Sequence, residues 1–261
     1  MSRHLAALIA ALAFIAPALQ AQTRPLNDTG ITWSGGTTSG NSATCSDSDP
    51  AGQDCRHGRD AAAAGTLTKT GASTPGLGGV ANGFDYTKIA NNGQSLPAGA
   101  ALGIGPSDWA CTRDNVTGLV WEVKTPGVLG LRAMDHTYSW YNSSSPDGSA
   151  GTANGGICSL SINYRCDTEK FVQDVNAAGL CGASDWRMPT VKELEGIADL
   201  GRSGPAIDPT YFPNTPFSYV WSGSPVAGQS DRAWLVNFYY GFASHDYRNN
   251  DNSVRLVRGG Q

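Results

Sequence analysis

Residues 179–194 read Gly-Leu-Cys-Gly-Ala-Ser-Asp-Trp-Arg-Met-Pro-Thr-Val-Lys-Glu-Leu. Thr190 and Glu193 stand three apart just before an apolar-periodic run, the reciprocal capping box that satisfies two orphan amide donors at a helix start. The pattern predicts a helix from Val191 to Leu200, stopped at Gly201. Pro189 forces Met188 out of the helical region, so Asp185-Trp186-Arg187-Met188 must run extended into the cap.

Upstream, Asp167 or Thr168 caps a further helix with Phe171, Val172, Val175 and Ala178 on one face, ended by Gly179. Trp109-Ala110-Cys111-Thr112-Arg113 and Leu119-Val120-Trp121-Glu122-Val123 read as short strands joined by the turn Asp114-Asn115-Val116-Thr117-Gly118. Three more segments have strand character: Tyr219-Val220-Trp221-Ser222, Ala233-Trp234-Leu235-Val236-Asn237-Phe238 and Val254-Arg255-Leu256-Val257-Arg258. Two helices followed by antiparallel strands make an α+β chain. Residues 142–165 are polar and glycine-rich and read as a long loop. Trp109, Trp121, Trp186, Trp221 and Trp234 are expected in the core, where buried aromatics dominate the stability of small sheets.

Four separated motifs carry a resemblance: Thr117-Gly118-Leu119-Val120-Trp121-Glu122, Asp185-Trp186-Arg187-Met188-Pro189-Thr190, Tyr219-Val220-Trp221-Ser222 and Val254-Arg255-Leu256-Val257-Arg258. In order and spacing they resemble the Lcl C-terminal domain family, named for the tail of a bacterial collagen-like adhesin, over roughly residues 109–258. Met188 stands where that family usually has Leu, a volume-conserving exchange. The resemblance implies a C-type-lectin-like domain with a mostly antiparallel sheet and extracellular binding. Within the family Arg187, Arg255 and Arg258 recur with the tryptophans, which fits pairing to carboxylates inside the domain.

The chain begins with Arg3 and His4, an apolar run over residues 5–15, and small residues up to Ala21. This is the pattern of a secretory signal peptide over residues 1–21, and the run is shorter than the ~20 residues a membrane-spanning helix needs. The protein is therefore expected to be exported: periplasmic, extracellular or attached to the cell surface, without a membrane span. Residues 22–108 are rich in Gly, Ala, Ser, Thr and Asn and offer little apolar surface against the entropy of ordering. They read as a partly ordered arm ahead of a domain over residues 109–261. Within that arm the alternating Gly83-Phe84-Asp85-Tyr86-Thr87-Lys88-Ile89 reads as a strand packed on the domain.

Six cysteines in an exported chain favour three disulfides. Six allow fifteen connectivities; Cys45 with Cys55 and Cys158 with Cys166 make short loops, leaving Cys111 with Cys181. No Cys-x-x-Cys occurs, and histidines 4, 57, 136 and 245 lack ligand spacing, which argues against zinc. Asp47, Asp49 and Asp54, with Asp60 beyond, are candidate calcium ligands without the twelve-residue loop pattern, and the alternative is a solvated acidic loop. No other cofactor is indicated. With 15% charged residues and a net charge of −4, the chain lacks a nucleic-acid footprint.

Catalysis finds no motif: Ser222 lies in Trp-Ser-Gly-Ser and not in a nucleophile elbow. Residues 237–252, between two strands, combine three Tyr and two Phe with Ser, Asn and Arg, the mixture binding loops favour. Tyr239, Tyr240, Phe242, His245, Tyr247 and Arg248 are the candidate ligand-binding residues. Every residue of this window can be encoded by a codon ending in a pyrimidine, as in retroelement-diversified loops; ordinary loop composition accounts for the same pattern. The function expected is adhesion, with a glycan or protein at a cell surface as partner and oligomers allowed. The alternatives are a structural subunit of a pilus or surface assembly, and a retroelement-diversified ligand-binding protein.

Overall fold

The computed structural model describes residues 27–31, 33–35, 40–42, 53, 84–158 and 165–259. The expected signal peptide, the Cys45 and Cys55 pair, Asp47, Asp49, Asp54 and Asp60, and His57 lie outside the described residues.

Chain order runs through β1 (Ser34–Gly35), β2 (Asn41–Ser42), β3 (Tyr86–Ala90), β4 (Ser95–Leu96), β5 (Trp109–Asp114), β6 (Val120–Glu122) and β7 (Tyr138–Ser139). Helix α1 (Thr168–Ala178), a 3-10 turn (Leu180–Gly182) and helix α2 (Val191–Glu195) follow. The chain closes with β8 (Tyr219–Val226), β9 (Gln229–Asn237), β10 (Phe242–Tyr247), β11 (Asp251–Val254) and β12 (Val257–Arg258). The α+β class is as expected, but the strands form two five-stranded sheets, β10-β9-β8-β11-β7 and β12-β6-β5-β3-β4, beside the small β1-β2 pair. Pairing is antiparallel except between β8 and β11.

The second sheet begins upstream of residue 109. Strand β3 lies between β4 and β5, with Ile89 opposite Cys111, so the segment read as a strand in the arm is an interior strand of the domain. Farther upstream, Asn27 donates to Asp114 and to the Gly196 carbonyl, and Leu200 N–H donates to Thr29 O.

Alternation along β8 and β9 feeds two cores. Trp221 and Leu235 point into one with Phe171, Val175 and Val254, while Val220 and Val236 point into the other with Tyr86, Trp121, Leu194 and Val257. A sheet buried on both faces accounts for the apolar runs at these strands. The last segment, read as one strand, is two: Val254 ends β11 in the first sheet and Val257 opens β12 in the second. Arg255 and Leu256 make the crossing. Leu256 N–H donates to the Glu122 carboxylate and Arg255 to the Glu122 carbonyl and Thr215 hydroxyl.

Helix α1 is capped by Asp167, whose carboxylate accepts from Lys170 N–H, and is ended by Gly179 in the left-handed region. Phe171 and Val175 are buried as expected, whereas Ala178 is exposed. Helix α2 carries the full capping box but stops at Glu195, five residues short of the expected end. Gly196 follows it, and its N–H closes the last turn onto Lys192 and Glu193 carbonyls, so the apolar Ile197 and Ala198 reach the core from irregular chain.

Disulfides link Cys111 to Cys181 and Cys158 to Cys166. The first joins β5 to the 3-10 turn after α1 across 70 residues of sequence.

Candidate functional site

The β9-β10 connection presents the most exposed aromatic surface of the described residues. Gly241 N–H donates to the Asn237 carbonyl at 2.7 Å, and the Asn237 side-chain oxygen accepts from Tyr239 N–H at 2.9 Å and Tyr240 N–H at 3.1 Å. One asparagine thus satisfies the amides of the turn and leaves both tyrosine side chains outside it. Gly241 is required twice: its φ is +84°, and a Cβ there would lie 2.6 Å from Leu200 Cδ2. The turn is held from below, since Gly204 N–H donates to Tyr239 O and Ala206 N–H to Phe238 O.

Five exposed rings form a continuous row along this end of the sheet. Phe217 meets Tyr239 edge-on at 6.4 Å, Tyr239 meets Tyr240 at 4.5 Å, Tyr240 stacks toward Phe242 at 6.4 Å, and Phe242 meets Tyr219 edge-on at 6.4 Å. Tyr240 and Phe217 are 63% and 62% exposed. Rings locked against one another lose little freedom when a ligand covers them.

Of the candidate residues, Tyr239, Tyr240 and Phe242 come together. His245 and Tyr247 do not join them, because residues 242–247 are a strand and not a loop: side chains alternate, which turns these two to the opposite face. There His245 packs edge-on against Trp234 at 5.6 Å and bonds Arg232 at 3.1 Å, while the Arg232 guanidinium lies 4.0 Å from the Tyr247 ring centroid. Trp234, expected in the core, is half-buried beside them.

Arg248 is a correction of a different kind. Its side chain is 2% exposed, ion-paired to Asp147 and 4.0 Å over the Trp140 ring. Nε also donates to Arg232 O. Every strong contact is internal, so this arginine ties the long loop to the strand end and presents no guanidinium to a ligand. Phe217 and Tyr219, in contrast, were missed. The signal for Tyr219 lay in its strand: with Trp221 buried, the residue two before it shares the same face at the exposed end, opposite Asn237.

The expected structural arginines divide. Arg187 grips Glu193 with two nitrogens, at 2.7 and 2.9 Å, and Arg258 pairs with Asp185 at 2.6 Å. Burial acts to raise the Glu193 carboxyl, but the hydrogen bonds from Arg187 and Thr190 hold it below the usual range. Arg255 takes no carboxylate; it is fully buried over Phe212 and its burial lowers its affinity for the proton. Nearby, Lys124 and Glu122 form a buried ion pair at 2.8 Å.

Cavities lined by described residues open on the surface. One of about 310 Å³ is bounded by His136, Tyr138, Phe171 and Arg165; one of about 300 Å³ by Trp140, Tyr141, Asn142, Glu169 and Arg187. A roomier one, about 460 Å³, lies between Asn27, Leu119, Trp121, Ala198 and Leu200. No group of three or more His, Cys, Asp or Glu among the described residues is arranged to hold a metal ion. Ser222 is buried, its hydroxyl donating to Trp234 O at 2.7 Å.

Fold and surface together define a disulfide-linked α+β domain with an exposed aromatic end. The chain belongs to the Lcl C-terminal domain family, which matches residues 110–258. No curated protein and no solved structure matches it. Among the described residues no helix is long and apolar enough to cross a membrane.

Proposed function

We propose that this is an exported, surface-associated binding protein of the adhesin kind. Its lectin-like domain recognises a glycan or protein ligand through the row formed by Phe217, Tyr219, Tyr239, Tyr240 and Phe242, and it carries out no catalysis. The observation that carries this reading is the row itself: five mutually packed aromatic rings stand in solvent at one end of a sheet whose middle is buried on both faces. Exposed aromatic patches of this kind mark interaction sites, and rigid aromatic anchors dominate interface energetics. Family membership and the export signal read in the sequence support the cellular setting.

The test is a glycan and protein binding screen on the chain lacking residues 1–21, repeated with Tyr239, Tyr240 and Phe242 all changed to Ala. Binding by the parent and its loss in the variant are expected. A parent that binds nothing and instead polymerises with concentration would favour an assembly subunit.

A further inference from the structure

Arg232 differs from the other arginines that the fold shields from water. Among the described residues, Arg165, Arg187, Arg248 and Arg258 take carboxylates, Arg132 and Arg255 take main-chain carbonyls, and Arg113 takes the Asn115 side-chain oxygen. Arg232, half-buried, bonds only an imidazole nitrogen: its Nη1 donates to His245 Nδ1 at 3.1 Å. Its Nε and Nη2 have no acceptor among the described residues.

Pairing of β9 with β10 builds a compact patch around it. Trp234 lies opposite His245 and Arg232 opposite Tyr247, so the four side chains share one face. The guanidinium lies 4.0 Å over the Tyr247 ring, which fixes its position, and the His245 ring meets Trp234 edge-on at 5.6 Å. A guanidinium only donates, so His245 Nδ1 must accept, which puts the proton of the neutral ring on Nε2. Neither that nitrogen nor Trp234 Nε1 meets an oxygen acceptor among the described residues, whereas Trp109, Trp140, Trp186 and Trp221 each donate to a backbone carbonyl. The two strands place no carboxylate on this face. Asp231 and Asp246 alternate to the other side, and Asp246 Oδ1 is taken by Tyr247 N–H and Asn250 Nδ2.

We infer that this patch is a second binding site, independent of the aromatic row, that takes a carboxylate carried on an organic ligand. The Nε and Nη2 edge of Arg232 is the edge that forks onto two oxygens in parallel, and that edge is unused. The patch holds donors without a competing acceptor, so an anion completes it. It holds one permanent cation, which a singly charged carboxylate neutralises, whereas a phosphate group brings nearly two charges. Tyr247, 45% exposed, and half-buried Trp234 flank the guanidinium and give the carbon skeleton behind the carboxylate an apolar surface.

The experiment is a nitrogen-15 NMR titration of the chain lacking residues 1–21, followed at the Trp234 indole N–H and the Arg232 Nε–H. The probes are acetate, N-acetylglutamate and galacturonate, with chloride and phosphate as controls. Each carboxylate is expected to shift both resonances at concentrations where chloride does not, and the tighter of the last two carboxylates identifies a peptide acid or a sugar acid as the carrier. Arg232→Lys, which keeps the charge and loses the fork, should weaken acetate binding about fivefold, and Arg232→Gln should abolish it. The lysine variant carries the test if the glutamine variant does not fold. Changing Tyr239, Tyr240 and Phe242 together to Ala should leave the titration unaltered. Silence of both resonances, an equal response to chloride, a preference for phosphate, or full acetate binding by either Arg232 variant would overturn the inference. Loss of the titration in the triple alanine variant would overturn the independence of the two sites.

Discussion

Arg248 is clamped between Asp147 and the Trp140 ring: its guanidinium is 2% exposed, pairs with a carboxylate 101 residues away in sequence, and lies 4.0 Å over the indole. The pair fastens the loop after β7 to the end of β10, a job that a lysine could not copy because the planar guanidinium both stacks and forks.

Arg248→Ala should therefore cost about 2–3 kcal/mol, the range for hydrogen bonds to charged groups, and Arg248→Lys should recover only part of it. Urea unfolding followed by tryptophan fluorescence measures both. A change within about 0.5 kcal/mol would return Arg248 to the surface class.

The same pair predicts acid sensitivity. The hydrogen bond from Arg248 holds the Asp147 carboxyl down at about 2, against about 3.9 in an unfolded chain. Between those values the unfolded chain binds the extra proton, so the contribution is complete above the unfolded value and is lost as pH falls toward the folded one. Asp147→Asn should start less stable at neutral pH and show a flatter stability profile in that acid window. Parallel profiles for variant and parent would show that the pair is not coupled to folding.

At the capping box, Thr190→Ala should lower stability by about 1 kcal/mol, because Thr190 Oγ accepts from Glu193 N–H at the start of a helix only five residues long. Trp186→Ala should cost about 3–5 kcal/mol: the ring is buried and its N–H donates to Leu180 O. Calorimetric melting separates the two. Near-equal losses would mean that the cap is holding more than its own helix.

The disulfides should rank by the chain they close. Replacing Cys111 and Cys181, 70 residues apart, by Ser should cost about 4 kcal/mol from loop entropy. Replacing Cys158 and Cys166, separated by 8, should cost about 2–3 kcal/mol. Equilibrium unfolding of the two double variants tests the order, and a reversed order would place the main constraint in the short loop.

On the binding surface, Tyr239, Tyr240 and Phe242 changed together to Ala should leave the unfolding midpoint within about 0.5 kcal/mol of the parent while abolishing ligand capture in a surface assay. His245→Ala, on the opposite face of β10, should leave capture intact. Loss of capture in the His245 variant alone would move the site to the Trp234 and Arg232 cluster.

Local signals were readable in the residues wherever the chain's own backbone decided the outcome. Thr190 with Glu193, Asp167 ahead of α1, and Gly179 behind it are cap chemistry acting within a few residues, and the β5-β6 hairpin formed about its anticipated turn. Features set by distant partners were not readable. Phe242 to Tyr247 looked like a loop because its residues are polar or aromatic, yet pairing with β9 makes it a strand and splits its side chains between two faces. Arg248 looked like a ligand residue because nothing near it in sequence reveals that Asp147 and Trp140 wait for it. The two-sheet arrangement was equally hidden: Val254 to Arg258 reads as one apolar-basic strand, and it is divided by pairing with distant partners, Val254 with Trp221 and Val257 with Trp121.

That divided ending has a consequence for how the molecule comes into being. One short segment gives a strand to each sheet, β11 beside β8 and β12 beside β6, and the Glu122 carboxylate receives its backbone partner only with Leu256 between them. Neither sheet is complete until residues 251–258 have docked, because each takes a strand from them. The two sheets are thus tied into one cooperative unit, and the domain should lose both in a single unfolding transition.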